Sequence, residues 1–232
     1  MDLREALRSI PATREFTDDP IDELTLRSIL DDARFAPSGG NRQGWRVVVL
    51  DDAVLRAKVK EIYLEGWYEY LGQVAAGLTP FSPVNDREVE GAARRTAGDM
   101  AELGRHNPGF AENLDQVPVL LLVLADLSCL AAVDRDLDRY TFAGGGSIYP
   151  FVWNILLGAR ERGLGGVITT MPVLHEDRVL KLVDAPENHC VAALVALGRP
   201  SAPVTKLRRS TVDDFAWVDA VGGRPLLSPP AE

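Results

Sequence analysis

Leu3, Ala6, Leu7 and Ile10 recur at helical spacing, with Asp2 placed to cap the helix and Pro11 to end it. Asp22 opens a second such pattern, whose apolar stripe is Leu26, Ile29, Leu30 and Ala33. Residues 45–50 are aromatic, β-branched and aliphatic and predict a strand. Leu55, Val59 and Ile62 predict a third helix over 54–66. After it, residues 66–85 mix Trp67, Tyr68, Tyr70 and Phe81 with prolines and read as irregular chain. A helical stripe returns over 86–105, with Val89, Ala92, Ala93, Met100 and Leu103 on one face and charges on the other. A loop over 106–116 leads into the apolar run 117–125, which predicts a buried strand.

The strongest helical signal lies at 147–162. Ile148, Phe151, Val152, Ile155, Leu156 and Ala159 form one stripe, and Tyr149, Trp153 and Leu157 make most of the remainder apolar too. A helix apolar nearly all round is buried on two sides. In a chain of this length that predicts a core helix that also meets a second subunit. Gly163 supplies a C-terminal stop. Residues 167–170 predict a short strand, 176–183 a helix and 190–197 a further strand, with extended chain beyond 198. Strands and helices do not alternate as in a doubly wound sheet. The pattern predicts an α+β fold with a central mixed or antiparallel sheet flanked by helices.

Composition narrows the classes. The chain has 232 residues, 46% hydrophobic and 25% charged, the balance of a globular protein. A net charge of −9 opposes a nucleic-acid surface, which needs a basic face. Cys129 and Cys190 lie far apart and in no C-x-x-C spacing, which predicts reduced thiols in a cytoplasmic protein. The opening residues are charged and predict no secretory leader, and no apolar run is long enough to predict a membrane span.

Several chemistries find no motif. There is no G-x-G-x-x-G or P-loop signature, and Gly144-Gly145-Gly146-Ser147 is not a nucleophile elbow. His106, His175 and His189 lack metal-ligand spacing, so no metal site is expected. The stretch Ala36-Pro37-Ser38-Gly39-Gly40-Asn41-Arg42-Gln43-Gly44-Trp45 is more informative. Pro37 stops a helix, the two glycines allow close backbone approach, and Ser38, Asn41 and Gln43 offer donors and acceptors to a flat polar edge. A plain helix–strand turn would need only a glycine. Lys206 and Arg208 sit two apart in extended chain and share a side, with Arg209 opposite; Arg8 and Arg14 flank Pro11. These cations suit a phosphate, or they are ordinary surface charges.

The turn resembles the flavin-binding turn of the FMN-dependent nitroreductase family, and the likeness extends over about residues 1–60 and 117–212. Arg14, Phe16 and Pro20 match the family's opening block, although Ile10 and Ala12 replace its phosphate-binding arginine and serine. Arg8 is the candidate substitute. Asn154-Ile155-Leu156-Leu157-Gly158-Ala159 and Gly163-Leu164-Gly165 match its central helix and the turn after it. The resemblance implies a nitroreductase-like sandwich completed by dimerisation. Residues 1–212 would form one domain with a variable insertion at 61–116, followed by an extension at 213–232. It places Arg14 beside the flavin pyrimidine, and Pro37, Ser38, Gly39, Asn41 and Gln43 against the flavin of the partner subunit. Ser147, Ile168, Thr169 and Thr170 would line the ring, with a backbone N–H reaching N5. Lys206 and Arg208 would hold the phosphate.

The activity so implied is hydride transfer from NAD(P)H through FMN to a nitroaromatic, quinone or similar planar acceptor, in a ping-pong cycle at a homodimer interface. Two other activities fit the same residues: FMN binding or storage without turnover, and a flavin oxidase or dehydrogenase of a biosynthetic pathway. Trp67, Tyr68, Tyr70 and Phe81 either cover the acceptor pocket or fill a satellite core under the insertion.

Overall fold

A computed structural model describes residues 2–202 and 207–227. Its centre is a four-stranded antiparallel sheet in the order β1-β2-β4-β3, formed by β1 (Trp45–Val49), β2 (Val119–Asp126), β3 (Gly165–Thr169) and β4 (His189–Gly198). Among the described residues, parallel pairing occurs only at an isolated bridge, Ala12 to Gly166. The unbroken apolar run of β2 is explained by burial on both faces. Val119, Leu121, Val123 and Ala125 point into one core, and Leu120, Leu122 and Leu124 into the other.

The first core is covered by α2 (Glu23–Ala33) and α6 (Tyr149–Glu161), with α1 (Leu3–Arg8) at its margin. The second is covered by α3 (Ala53–Ala75) and α7 (Glu176–Leu182). Aspartates cap α1, α2 and α3, since Asp2, Asp22 and Asp52 each accept a backbone N–H of the first turn. A bulge in β4 at Ala192 interrupts the ladder between Val123 and Leu124. The Ala192 carbonyl accepts the Tyr149 hydroxyl at 3.2 Å and so pins the start of α6 to the sheet.

The third helix corrects the sequence reading. It runs to Ala75, not to 66, so Trp67, Tyr68 and Tyr70 are helical and not irregular. Gly66 and Gly72 lie inside this helix, and each serves a close approach. A Cβ on Gly66 would lie 2.8 Å from Leu174, and one on Gly72 would lie 2.7 Å from the Ala93 carbonyl. The stripe at 86–105 is two helices, α4 (Arg87–Arg94) and α5 (Ala97–His106), packed against α3.

The central helix buries only one side within the chain. Phe151, Val152, Ile155, Leu156 and Ala159 are buried, whereas Trp153 is 37% and Tyr149 45% exposed. Among the described residues no helix is long and apolar enough to cross a membrane.

Candidate functional site

Two sets of predicted residues come together, each on its own edge of the sheet. The first surrounds the turn before β1. Gly39 donates its N–H to the Ser147 hydroxyl at 3.0 Å, and Gln43 donates its N–H to the Ser38 hydroxyl at 3.0 Å. The Gln43 side chain reaches Asn41 Oδ1 at 3.0 Å. Gly40, Asn41 and Gln43 all hold positive φ, at 61°, 53° and 51°. For Gln43 that conformation is costly, and the bond to Ser38 helps maintain it. Pro37 and Asn41 are exposed, so the turn presents polar groups and bare backbone to a neighbour.

A buried carboxylate supports this set. Asp134 Oδ2 accepts from Arg139 at 2.9 Å and from the N–H groups of Phe142 at 2.9 Å and Ala143 at 3.2 Å. These bonds, led by the one from Phe142, pull its pKa down to about 2 despite the opposing effect of burial. The loop they shape leads directly to Ser147.

The second set lies along β3. Thr13 donates to the Gly166 carbonyl at 2.9 Å on the side of β3 away from β4. Strand alternation therefore turns the backbone N–H of Ile168 to that same outer side. Ile168, Thr169 and Thr170 line a cavity of about 400 Å³ together with Arg14, Tyr63, Trp67, Tyr70, Phe110 and Met171. A smaller hollow of about 260 Å³ continues from it past Arg14 and Ile168 to Ala12, Trp153 and Arg209.

Tyr63, Trp67 and Tyr70 stand at i, i+4 and i+7 on one face of α3. The rings of Trp67 and Tyr70 stack with centroids 5.2 Å apart. Tyr63 is 3% exposed, and its hydroxyl takes a 3.3 Å bond from Thr169. Burial pushes that phenol's pKa up, so it stays protonated. Sequence reasoning missed Tyr63 because it ended the helix at 66, which hid the spacing.

Other predicted residues fall elsewhere. Tyr68 is on another face of α3, against Gly104 and Glu112. Phe81 lies beyond α3, where its N–H donates to Gln73 at 2.8 Å. Arg8 is exposed at the end of α1, and lines neither hollow beside Ile168. Ile10 is buried in the core. Arg208 is exposed, and it is Arg209 that lines the smaller hollow, opposite to the expected sidedness. Lys206 lies outside the described residues. Among those residues no group of three His, Cys, Asp or Glu side chains could hold a metal ion.

The two sets are separated by β2 and β4, about 14 Å at ordinary strand spacing. Neither hollow beside Ile168 is lined by any residue of the 37–43 turn.

Comparison with known proteins decides the family. The family model described as the nitroreductase family matches residues 8–199. The chain belongs to the nitroreductase family. It is 29% identical over 204 residues to NADH dehydrogenase of Thermus thermophilus, covering 87% of this chain and 88% of that protein. It is 26% identical over 213 residues to iodotyrosine deiodinase 1 of Rattus norvegicus, covering 91% and 67%. The fold also matches a crystal structure of oxidized iodotyrosine deiodinase bound to FMN and 3-iodo-L-tyrosine. There the TM-score is 0.62 at 23% identity, over 91% of this chain and 96% of that one. The nitroreductase-like α+β fold expected from the sequence is thus the one observed, and its sheet is antiparallel.

Proposed function

We propose that this member of the nitroreductase family is an FMN-dependent oxidoreductase, which takes hydride from NAD(P)H and reduces a planar aromatic acceptor such as a nitroaromatic or quinone. The observation that carries the reading is the convergence, in one cavity, of Arg14, the outward amide of Ile168 and the aromatic face of α3. Bound FMN would supply the two-electron hydride chemistry.

The residues suit its ring. Ile168, Leu156 and Trp153 offer an apolar wall, Ile168 an unladdered amide, and Arg14 a cation whose guanidinium donates to the Ala12 carbonyl at 3.5 Å. A fixed cation there stabilises negative charge on the reduced ring. Arg209 is placed to meet a phosphate where Ile10 and Ala12 cannot. Trp67 and Tyr70 would stack on the acceptor, and the protonated Tyr63 hydroxyl would donate a hydrogen bond to its oxygen.

The turn at 37–43 would complete the site from a second copy of the chain. The separation of the two half-sites and the exposed Trp153 and Tyr149 favour that arrangement. Anaerobic titration of the FMN-loaded protein with NADH and NADPH tests the reading. Bleaching of the flavin absorbance, followed by its return on adding a quinone or nitroaromatic, is the expected result. A flavin that binds and never bleaches would instead identify a storage protein.

A further inference from the structure

The cavity beneath the α3 aromatics does not end at Phe110. A groove of about 600 Å³ adjoins it, and the two share Arg14, Gly109 and Phe110 as a common wall. Phe16, Pro108 and Pro118 give the groove apolar sides, and Thr17, Asn113 and Gln116 give it hydrogen-bonding ones. Glu15 and Asp18 line it as well, so apart from Arg14 at the junction its charges are negative. Cavity and groove together reach the upper end of the size range of small-molecule sites. A single substituted ring needs no more than the cavity.

We propose that the groove is a second subsite for the electron acceptor, and that this acceptor is a two-part molecule. Its flat aromatic head stacks on Trp67 and Tyr70, and an extended, neutral or cationic hydrogen-bonding arm lies in the groove. The inference rests on the oxidoreductase reading above. Asn113 spends its amide N–H on the Gly109 carbonyl at 2.9 Å, which leaves its own carbonyl oxygen to accept from an arm. Gln116 presents both an acceptor and donors. An anionic arm would meet Glu15 and Asp18, and so would the pyrophosphate of a dinucleotide donor.

The test uses four matched acceptors: one compact ring, and the same ring with a hydroxyalkyl, an alkylammonium or an alkylsulfonate arm. With NADH saturating, the hydroxyalkyl and ammonium compounds should exceed the compact one in kcat/KM by about fivefold, through KM, the effect of one or two added hydrogen bonds. The sulfonate should show no gain. Gln116→Trp fills the groove and should bring these ratios to about one. Equal kcat/KM across the series, or preference for the sulfonate, overturns the proposal. So does a Gln116→Trp protein whose KM rises for NADH while the acceptor ratios persist, because the groove then serves the donor. Quenching of tryptophan fluorescence by the same compounds measures binding without turnover. Equal Kd values there overturn the subsite even where NADH bleaches the flavin. Absence of bleaching overturns the oxidoreductase reading alone, and the binding order still judges the groove.

Discussion

The Gly39 amide and the Ser147 hydroxyl meet at 3.0 Å across 108 residues of chain. This bond fixes the glycine turn to the loop that precedes α6. Ser147→Ala leaves the amide without its partner and should cost about 1 kcal/mol of stability. FMN binding should weaken by about fivefold, because the turn is no longer held in its binding shape. Urea unfolding and flavin titration read the two effects. Unchanged FMN affinity would place the turn outside the site.

Gly166 holds the other half-site in place. A Cβ there would lie 2.6 Å from the Ala196 carbonyl and 2.6 Å from Leu197. Backbone on one side cannot yield, so Gly166→Ala should destabilise the protein by about 1–3 kcal/mol, as overpacking does. The displaced β3 should also carry Ile168 away from the flavin. A thermal midpoint equal to that of the unaltered protein would contradict this.

Acid should loosen the loop that Asp134 organises. Its folded pKa, about 2, lies below the usual 3.8. The stabilisation is therefore complete above about pH 4 and is lost as pH falls toward about 2. Urea midpoints at about pH 5 and pH 2.5 should differ more for the unaltered protein than for Asp134→Asn. An equal difference in both would show that Asp134 does not carry the effect.

Trp153 and Tyr149 are the two exposed aromatics of a helix that is otherwise buried along one side. If this face meets a second copy, Trp153→Glu should weaken association by about 2 kcal/mol or more, the loss typical of an interface anchor. Light scattering over a dilution series should show monomers at concentrations where the unaltered protein is dimeric. Flavin should be lost with the dimer.

Much of this was legible in the sequence. The apolar period placed β2 and β4, because residues buried on both faces leave no polar positions to blur the signal. The glycine turn showed its residue types directly. Helix α3 was ended at 66 because the aromatics and prolines of 66–85 read as irregular chain, whereas Gly66 and Gly72 let it continue to Ala75 by close contacts with Leu174 and Ala93, far away in sequence. That error hid the Tyr63–Trp67–Tyr70 stripe. The groove beyond Phe110 was illegible for a similar reason, since segments 14–18 and 108–118 meet only in the folded chain.

The central claim is that each flavin site draws its turn from one chain and its Arg14 and Ile168 from another. Subunit mixing tests it most directly. Gly39→Trp blocks the turn and Arg14→Glu reverses the cation, so each homodimer alone should bind FMN poorly. Refolded together, half of the dimers are mixed, and one of the two sites in each of these has both halves intact, so about a quarter of all sites should recover. No recovery on mixing would mean that each chain builds its site alone, and would contradict the account.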